Sequence, residues 1–386
     1  MRRAGRVLTG VDRVEFAYLR HLLSVETPCF GLVRSPFGYV LLDRSGMQGF
    51  EARISGRTPW SSPDMLSWFA RGQTPTMQRA QSDVRRMAMA RCAPARLGAM
   101  LQRHVPRGAS YLNTGHSNLT PRVLRTIKQT LGGSTGVFVH DVIPLEYPQY
   151  QRAGTVEPFA EKMRQVQAHA DLIICNSADT LTRAQAVLAK WGQAPEGIVA
   201  HLGTDVIAPD VSRLPEGLPP KAPYFVVVGT IEPRKNHALL LDIWEQDAPE
   251  NARLVICGSR GWNNEAVFDR IERISDGSVI EVAGLNDAAL SALVASSNGL
   301  LFPSFAEGFG LPAVEAAALG VPVVCNDLPA LREVLGNIPI YASVSDRYLW
   351  KNTIRTLASA GTQRTNIPPF SPPTWSDHFN IVLRMI

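Results

Sequence analysis

Two glutamates, Glu307 and Glu315, are the residues of this sequence with the clearest chemical potential, and both lie in the stretch 303–320. An apolar run at 299–302 predicts a buried strand directly before this stretch, and Pro312 favours the first turn of a helix within it. The predicted order is therefore a strand, a loop with two glycines and a helix N-terminus. Free backbone N–H groups and the positive end of the helix at such a place can hold a diphosphate.

Each glutamate also has an ordinary explanation. An acidic residue in the first turns of a helix, such as Glu315, often only compensates the helix dipole, and a loop residue such as Glu307 is usually solvated. Against this, Glu315 lies in a run of Ala and Val that must pack tightly, where an unpaired carboxylate is costly. A carboxylate there is suited to accept hydrogen bonds from a diol such as a ribose. The residues by themselves leave both explanations open.

A second candidate is the turn at 229–236, Gly-Thr-Ile-Glu-Pro-Arg-Lys-Asn, which follows an apolar, strand-like run at 224–228. It places Arg234 and Lys235 beside a glycine turn, and Asn236 can cap the helix that follows. Two cations at a helix start form a clamp for a diphosphate. The alternative is a solvated charged turn, which the adjoining strand edge disfavours.

A third candidate is the pair His140 and Asp141, which emerges at the end of the apolar run 136–139. In open α/β sheets, ligands gather in the crevice outside the carboxyl ends of the strands. That position favours a functional role for His140, although a lone histidine is often a satisfied structural residue. His116 also follows a predicted change from strand to loop, within residues 111–118, but the apolar run before it is shorter.

The glutamate pair resembles a family signature. Glu307 and Glu315, with seven residues between them and the segment Glu-Gly-Phe-Gly-Leu-Pro at the start, resemble the paired glutamates of family 4 retaining glycosyltransferases, the glycosyl transferases group 1. The segment His-Asp-Val-Ile-Pro-Leu from His140 resembles a recurrent segment of their mannosyltransferase-like branch. The resemblance covers most of the C-terminal half and is patchier in the N-terminal half. It implies an α/β fold of the GT-B type, in which two Rossmann-like domains face a cleft and a C-terminal helix crosses back to the N-terminal domain.

The resemblance also implies roles for individual residues. In the catalytic set, Glu307 binds donor-sugar hydroxyls, His140 orients the sugar and Lys235 grips the donor diphosphate. The implied donor-binding set comprises Gly229, Thr230, Arg234, Lys235, Gly284, Leu285, Phe309, Gly310, Leu311 and Glu315. The implied acceptor side comprises Gly10, Arg13, His116 and Asp141. The family often has arginine where this chain has Thr230, so Arg234 is the candidate for the missing guanidinium.

The implied function is transfer of a hexose, with mannose from GDP-mannose favoured, to a surface polysaccharide or a lipid-linked oligosaccharide. The turn at 229–236 motivates the choice of mannose, and the resemblance implies a retained anomeric configuration. Two alternatives stay open: a catalytically inactive GT-B partner subunit of a glycosylation complex, and a UDP-sugar-dependent transferase. An NAD-dependent dehydrogenase needs a Gly-x-Gly-x-x-Gly turn, which the turn at Gly229 lacks.

No cofactor and no metal ion are expected, because the nucleotide sugar is a substrate and the sequence has no Asp-x-Asp pair and no His/Cys cluster with metal-ligand spacing. Cations of the protein are expected to neutralise the leaving diphosphate instead. The expected partners are thus a nucleotide sugar and a glycan or lipid-linked glycan.

At 386 residues the chain is expected to form two domains. A concentration of prolines predicts a stiff linker between them. The predicted limits are an acceptor-binding domain at 1–205, a linker at 206–223, a nucleotide-sugar-binding domain at 224–360, and a C-terminal tail and helix at 361–386.

The N-terminal region gives weaker signals. Residues 6–8 are the only candidate for a first strand before the helix predicted at 11–23, so either this strand is very short or the protein begins upstream of Met1. Two strand-like runs at 29–33 and 39–42 precede a poorly patterned region, which predicts a loop up to about residue 76.

Charge is unevenly distributed along the chain. Residues 1–200 hold 25 Lys and Arg against 14 Asp and Glu, whereas the remainder holds 14 against 20. The basic half predicts an anionic partner, such as a membrane surface, a lipid diphosphate or a nucleic acid. The arginines from Arg79 to Arg107 predict a basic helix that either lies on anionic headgroups or presents a solvated face. Aromatic residues are not interleaved with these arginines, which argues against a nucleic acid.

Localisation follows from what the sequence lacks. No apolar run approaches the roughly 20 residues of a membrane span, and no signal-peptide core follows the basic N-terminus. Five scattered cysteines fit reduced core thiols better than disulfides. A cytoplasmic protein is expected, with peripheral attachment to the inner face of the membrane left open.

Overall fold

The computed structural model describes residues 8–69, 72–247, 249, 251–360 and 369–386. The strands in these residues form three sheets: an antiparallel sheet of three strands and two parallel sheets of four and six strands. We call residues 8–205, which contain the first two sheets, the first lobe. Residues 224–360, which contain the third sheet, are the second lobe.

The first lobe contains nine helices and seven strands among its described residues. They are α1 (Gly10–Ser24), β1 (Gly31–Ser35), β2 (Gly38–Leu42), α2 (Arg44–Ile54), α3 (Met65–Phe69), α4 (Pro75–Arg86), β3 (Ala90–Cys92), α5 (Leu97–His104), β4 (Tyr111–Asn113), α6 (Pro121–Leu131), β5 (Thr135–Val139), α7 (Ile143–Glu146), α8 (Val156–His169), β6 (Leu172–Cys175), α9 (Ala178–Leu188) and β7 (Glu196–Val199).

The second lobe alternates strands and helices, and one further helix follows it. They are β8 (Tyr224–Val228), α10 (His237–Asp247), β9 (Arg253–Cys257), α11 (Glu265–Arg273), β10 (Val279–Val282), α12 (Asp287–Ala295), β11 (Gly299–Phe302), α13 (Leu311–Ala318), β12 (Val323–Cys325), α14 (Pro329–Leu335), β13 (Ile340–Tyr341), α15 (Arg347–Ser359) and α16 (Trp375–Val382).

The order of the six-stranded sheet defines where a ligand is expected. The strand order is β10-β9-β8-β11-β12-β13. Strands β9 and β10 lie on one side of β8, and the later strands β11, β12 and β13 lie on its other side. The strand order therefore reverses between β8 and β11. In open α/β sheets, ligands bind outside the carboxyl ends of the strands at such a switch point. The loops that leave β8 and β11 there are the two stretches that the sequence singled out.

Both parallel sheets are covered on both faces. Every residue of β5, β6, β11 and β12 is buried. Strands buried on both faces have no polar side to alternate with, which explains why their sequences are continuous apolar runs.

The last helix, α16, packs on the first lobe. The Tyr18 hydroxyl of α1 and His378 Nε2 are hydrogen-bonded at 2.8 Å, and the Phe379 ring stacks on His21 with the ring centres 3.8 Å apart. The predicted crossing of the C-terminal helix back to the N-terminal domain is therefore confirmed.

The loop predicted up to residue 76 is wrong over 44–54 and 65–69, which form α2 and α3. The glycines that suggested a loop allow α2 to approach Met87 closely. A Cβ at Gly46 would lie 2.5 Å from the Met87 carbonyl oxygen, and one at Gly49 would lie 2.6 Å from the Met87 sulfur. Close helix packing, rather than turn formation, accounts for these residues.

The basic helix predicted from Arg79 to Arg107 is also wrong. Helix α4 ends at Arg86, strand β3 pairs with β2, and α5 begins only at Leu97. Arg85 does not face solvent, because it is buried and forms an ion pair with Asp64. The arginines of this segment therefore do not form one continuous basic face.

The ends of the predicted domains are only partly described. Residues 6 and 7 of the predicted first strand and residues 361–368 of the predicted tail lie outside the described residues. The linker lies against α12, where Ser291 Oγ donates to the Ile207 carbonyl at 2.6 Å. The domain limits themselves stay predictions.

Two further sequence expectations concern the whole chain. All five cysteines are free thiols, and Cys175, Cys257 and Cys325 are buried at strand ends, as predicted. Among the helices of the described residues, none combines the length and the apolar character needed to cross a bilayer.

Candidate active site

The centre of the candidate site is a buried ion cluster that joins the two loops at the switch point. Glu307, on the loop after β11, is 8% exposed, and its Oε1 lies 2.6 Å from Lys235 Nζ and 2.9 Å from Arg234 Nη1. Arg234 also donates to the Ala306 carbonyl oxygen at 2.6 Å. Buried charges persist only when they are paired and hydrogen-bonded, and this cluster meets both conditions.

Pairing within the cluster favours the charged forms of its carboxylate and its guanidinium. Burial by itself raises the pKa of Glu307, but the charges of Arg234 and Lys235 outweigh it and lower that pKa to about 2. Burial lowers the pKa of Lys235, and the carboxylate of Glu307 opposes that effect. Glu307 is therefore ionised at neutral pH and acts as a hydrogen-bond acceptor.

Local geometry explains why the sequence places Lys235 here. Residues Pro233–Lys235 form a 3₁₀ turn, and Asn236 ends it with φ of 53°, a left-handed conformation that asparagine tolerates. Gly229 has φ of 138°, and a Cβ there would lie 3.3 Å from Cε of Lys235. The lysine ammonium also lies 4.7 Å from the centre of the Phe302 ring. Asn236 was expected to cap α10 with its side chain, whereas in the structure the Leu239 N–H donates to the Asn236 backbone carbonyl.

The loop after β11 is held between the lobes by its glycines. A Cβ at Gly308 would lie 2.5 Å from the carbonyl oxygen of His140, so only glycine fits against the first lobe here. The Gly308 carbonyl accepts hydrogen bonds from Ser177 Oγ at 3.0 Å and Thr180 Oγ1 at 3.2 Å. Gly310, with φ of 86°, then turns the chain into α13.

The side chains of His140 and His116 connect the ends of β4 and β5 through two hydrogen bonds. His140 Nε2 donates to the Thr114 carbonyl and His116 Nε2 donates to the Phe138 carbonyl, both at 2.7 Å. Because a carbonyl only accepts, both rings are Nε2–H tautomers. Burial lowers the pKa of each to about 4, with the neighbouring imidazole contributing at His116. Both histidines are therefore neutral at physiological pH.

Asp141 and Asn176 complete the surroundings of His140. The Asn176 side-chain amide donates to the His140 carbonyl at 2.9 Å, and Asp141 Oδ1 accepts from the Ile143 N–H at 3.1 Å. Burial raises the pKa of Asp141 despite the opposing charge of Arg234. The predicted pair at the end of β5 therefore faces the Glu307 loop.

Glu315 lies in a different environment from Glu307. Its Oε1 accepts from Arg13 Nη1 at 2.5 Å, and Arg13 Nη2 binds Asp287 Oδ1 at 2.7 Å. These three residues line a small cavity of about 30 Å³, which we call the first cavity. Burial raises the pKa of Glu315 even though Arg13 opposes that rise. Arg13, expected on the acceptor side, thus binds the glutamate that was expected to hold the ribose.

A second cavity, of about 180 Å³, opens beside Glu307. It shares no lining residue with the first cavity. The first lobe contributes Tyr147, Asp179 and Arg183, and the second lobe contributes Phe305, Glu307 and the turn before α14. The two predicted glutamates therefore face two separate cavities along the interface between the lobes.

The remaining predicted residues either pack in the interior or lie outside both cavities. Phe309 is 3% exposed and Leu311 is half-buried in the core, so their side chains pack while their N–H groups lie at the start of α13. Leu311 lies 3.6 Å from where a Cβ of Gly10 would be, so Gly10 lies against the start of α13. Thr230, Gly284 and Leu285 are not among the residues that line either cavity.

Sequence reasoning missed the contacts that hold the lobes together. Glu333 of α14 accepts from the Ala178 and Asp179 N–H groups at the start of α9, and from His201 Nε2 at 2.8 Å. Trp262 Nε1 donates to the Tyr150 carbonyl across the interface at 3.0 Å. No local sequence signal marks such pairs, because their members are more than 100 residues apart.

Comparisons with known proteins agree with this architecture. Residues 210–345 match the family model of Glycosyl transferases group 1. The serotype-specific mannosyltransferase WbdA of Escherichia coli is 32% identical over 238 residues, which are 56% of this chain and 29% of that protein. The O-antigen chain mannosyltransferase B of Escherichia coli is 38% identical over 128 residues, which are 32% of this chain and 33% of that protein. This chain thus spans about a third or less of the length of either relative.

A solved structure gives the class of fold. The crystal structure of Anabaena HepE in complex with UDP and glucose superposes with a TM-score of 0.58 at 18% identity, over 76% of this chain and 80% of that one. The fold is that of the GT-B glycosyltransferases, as predicted. Within it, residues 210–345 are a glycosyl transferases group 1 domain, which confirms the resemblance that the paired glutamates indicated.

Proposed function

We propose that this protein is a glycosyltransferase that moves a hexose from a nucleotide sugar to a polysaccharide or lipid-linked oligosaccharide. The observation that carries the proposal is the buried cluster of Glu307, Lys235 and Arg234 at the switch point of the six-stranded sheet. It puts an ionised acceptor and two cations beside a helix N-terminus. That combination suits a sugar joined to a diphosphate.

In the proposed complex, each group has a distinct task. Lys235 and Arg234 bind the diphosphate together with the N–H groups at the start of α13, and they neutralise the charge that develops when the glycosidic bond to phosphate breaks. Glu307 accepts hydrogen bonds from donor-sugar hydroxyls, and neutral His140 orients the sugar. Glu315 accepts the ribose hydroxyls, which requires the ribose to share this carboxylate with Arg13.

We further propose a retaining reaction that needs no metal ion, with mannose from GDP-mannose as the donor. The two mannosyltransferase relatives and the segment at 229–236 support mannose. The two protein cations beside Glu307 support diphosphate neutralisation by the protein. Catalysis of this kind consists mainly of positioning and charge stabilisation.

The acceptor is proposed to be a growing surface polysaccharide or its lipid-linked precursor. The O-antigen chain mannosyltransferase among the relatives supports this choice. Peripheral attachment to the inner face of a membrane in the cytoplasm is part of the same proposal. The exposed arginines Arg79, Arg91 and Arg96 are available for anionic headgroups, whereas Arg85 is not.

A thermal-shift screen tests the donor. A ligand that binds only the native state raises the melting temperature. We expect GDP-mannose to stabilise the protein more than UDP-glucose does, and radiolabelled GDP-mannose to release GDP in the presence of an acceptor glycan. Stabilisation and transfer with UDP-glucose but not GDP-mannose would replace the proposed donor. Stabilisation by no nucleotide sugar would instead favour a catalytically inactive partner subunit.

A further inference from the structure

We propose that the second cavity is the binding site for the acceptor glycan, so that the acceptor enters beside Glu307 while the nucleotide enters by way of Glu315. This proposal rests on the proposed function. It assigns a carbohydrate ligand to Tyr147, Asp179 and Arg183, which the sequence did not mark as site residues. It also explains why two separate cavities lie along one interface.

The aromatic wall of the second cavity is rigid and spans both lobes. The Tyr147 ring stacks on Tyr150 with centres 6.0 Å apart, and Tyr150 stacks on Phe305 at 5.2 Å. The guanidinium of Arg183 lies 5.8 Å from the centre of the Tyr147 ring. A ring held in this way offers a fixed apolar surface to the C–H face of a sugar.

The charges of the second cavity disfavour an anionic or purely apolar ligand. Asp179 and Glu307 are carboxylates, and Arg183 is already engaged by Glu146 at 2.8 Å and by Asp179 at 3.2 Å. A phosphate would meet two carboxylates and no free cation from these residues. An acyl chain would remove both carboxylates from water without replacing their hydrogen bonds.

A neutral sugar satisfies both features of the cavity. Its hydroxyls donate to Asp179 and Glu307, and its C–H face packs against Tyr147. Because the proposed function gives one face of Glu307 to the donor hexose, a sugar on the other side of that residue is the acceptor.

Binding of a defined glycan tests this assignment. Saturation-transfer NMR of the whole protein with α-linked mannotriose gives its dissociation constant for wild type, Tyr147→Ala, Tyr147→Phe and Asp179→Asn. We expect the constant to rise about tenfold in Tyr147→Ala, the order expected for loss of an aromatic contact, and also to rise in Asp179→Asn. Tyr147→Phe keeps the ring and should bind like wild type. Tyr348→Ala, at an exposed tyrosine of α15, is the surface control.

A parallel thermal-shift measurement with GDP-mannose separates the acceptor site from the donor site. We expect all four variants to keep the nucleotide-induced shift. The proposal is overturned if wild type shows the shift but no mannotriose binding, or if Tyr147→Ala and Asp179→Asn both bind mannotriose as wild type does. A nucleotide shift that falls in step with mannotriose affinity would assign the second cavity to the donor. If the proposed function itself is wrong, GDP-mannose will not raise the melting temperature of the wild-type protein.

Discussion

At the scale of single residues, Lys235 is the residue on which donor binding should depend most. It connects Glu307 to the glycine turn after β8. It is 9% exposed, so solvent screens its charge only weakly. Arg234 cannot fully replace it, because the guanidinium is also bound to the Ala306 carbonyl and to Glu232.

We expect Lys235→Ala to abolish the thermal shift with GDP-mannose and to lower sugar transfer by about two orders of magnitude. Loss of a charge-assisted hydrogen bond costs about 3 kcal/mol, which corresponds to that factor. Release of GDP in a coupled assay measures the effect. Lys221→Ala, at an exposed linker lysine, is the matched control. Transfer at the wild-type rate in Lys235→Ala would remove the basis of the proposed mechanism.

The buried histidine His237 gives a pH-dependent prediction. It is 1% exposed, and among the described residues neither ring nitrogen has a hydrogen-bond partner. Burial, assisted by the charge of Lys235, lowers its pKa to about 4, below the value of about 6.5 in an unfolded chain. Between these values the unfolded state binds more protons, so the free energy of unfolding falls as pH falls.

We expect His237→Leu to remove this contribution. The melting temperature of the variant relative to wild type should rise as pH is lowered from 7 to 5, since a titrating group contributes up to about 1.4 kcal/mol per pH unit. Differential scanning calorimetry at several pH values measures the difference, with pH 8 as the baseline. Burial raises the pKa values of Asp141 and Glu315, so these two groups make the folded state more stable as pH falls. Their effect is the same in both proteins and cancels in the difference between the two melting temperatures. A difference that does not vary with pH would mean that folding does not lower the pKa of His237.

At the scale of elements, the start of α9 is the point where the two lobes are most directly joined. The carboxylate of Glu333 accepts from two N–H groups of the first turn of α9, an arrangement that satisfies free donors and complements the helix dipole. Ser177 caps the same helix and also donates to the Gly308 carbonyl. Helix α9 therefore couples the Glu307 loop to α14.

We expect Glu333→Gln to lower the free energy of unfolding by about 1–2 kcal/mol, because a neutral amide accepts more weakly and loses the interaction with the dipole. Chemical denaturation measures the change, and small-angle scattering should show a larger radius of gyration if the lobes separate. Glu216→Gln, at an exposed linker residue, should change neither quantity. Equal stability of both variants would show that the Glu333 contact does not hold the lobes.

Helix α16 gives a second test at this scale. Phe379 is 4% exposed and packs on Tyr18 and His21, whereas Ile381 on the same helix is 43% exposed. We expect Phe379→Ala to cost about 3–5 kcal/mol, as for a buried phenylalanine, and Ile381→Ala to cost much less. Denaturation curves of both variants measure this. Similar losses for the two would mean that α16 is not docked on the first lobe in solution.

At the scale of the whole molecule, the lobes meet through charged contacts that involve proposed site residues. Arg13 connects α1 of the first lobe to Asp287 and Glu315 of the second. The same carboxylate is proposed to bind the ribose. Because the ribose is proposed to share this carboxylate with Arg13, nucleotide binding and the contact between the lobes should be coupled through Glu315.

A double-mutant cycle on Arg13→Ala and Glu315→Ala measures this contact. We expect Arg13→Ala to destabilise the protein by about 1–3 kcal/mol, since it leaves a largely buried carboxylate unpaired. The double variant should be more stable than the sum of the two single losses predicts. Additive losses in urea denaturation would show that the two side chains are not paired in solution.

The parts of the site that depend on short stretches of chain were predictable from the sequence. The strand, loop and helix around Glu307 follow from an apolar run, two glycines and a proline, all within about 20 residues. The caps by Ser177 and Asn286 follow from equally local hydrogen bonds. Such features need no knowledge of the rest of the chain, because the groups that satisfy each other are neighbours in sequence.

What the sequence did not reveal depends on groups brought together from distant parts of the chain. Gly46 and Gly49 suggested a loop, and their actual role became visible only once Met87 was placed against them. Arg13 and Glu315 are 302 residues apart, and nothing near either one predicts the pair. The sequence thus indicated the glycosyl transferases group 1 domain, the fold and the residues of the ion cluster. The packing of two lobes decided that the paired glutamates face separate cavities, because burial and charge pairing across an interface are properties of the folded molecule.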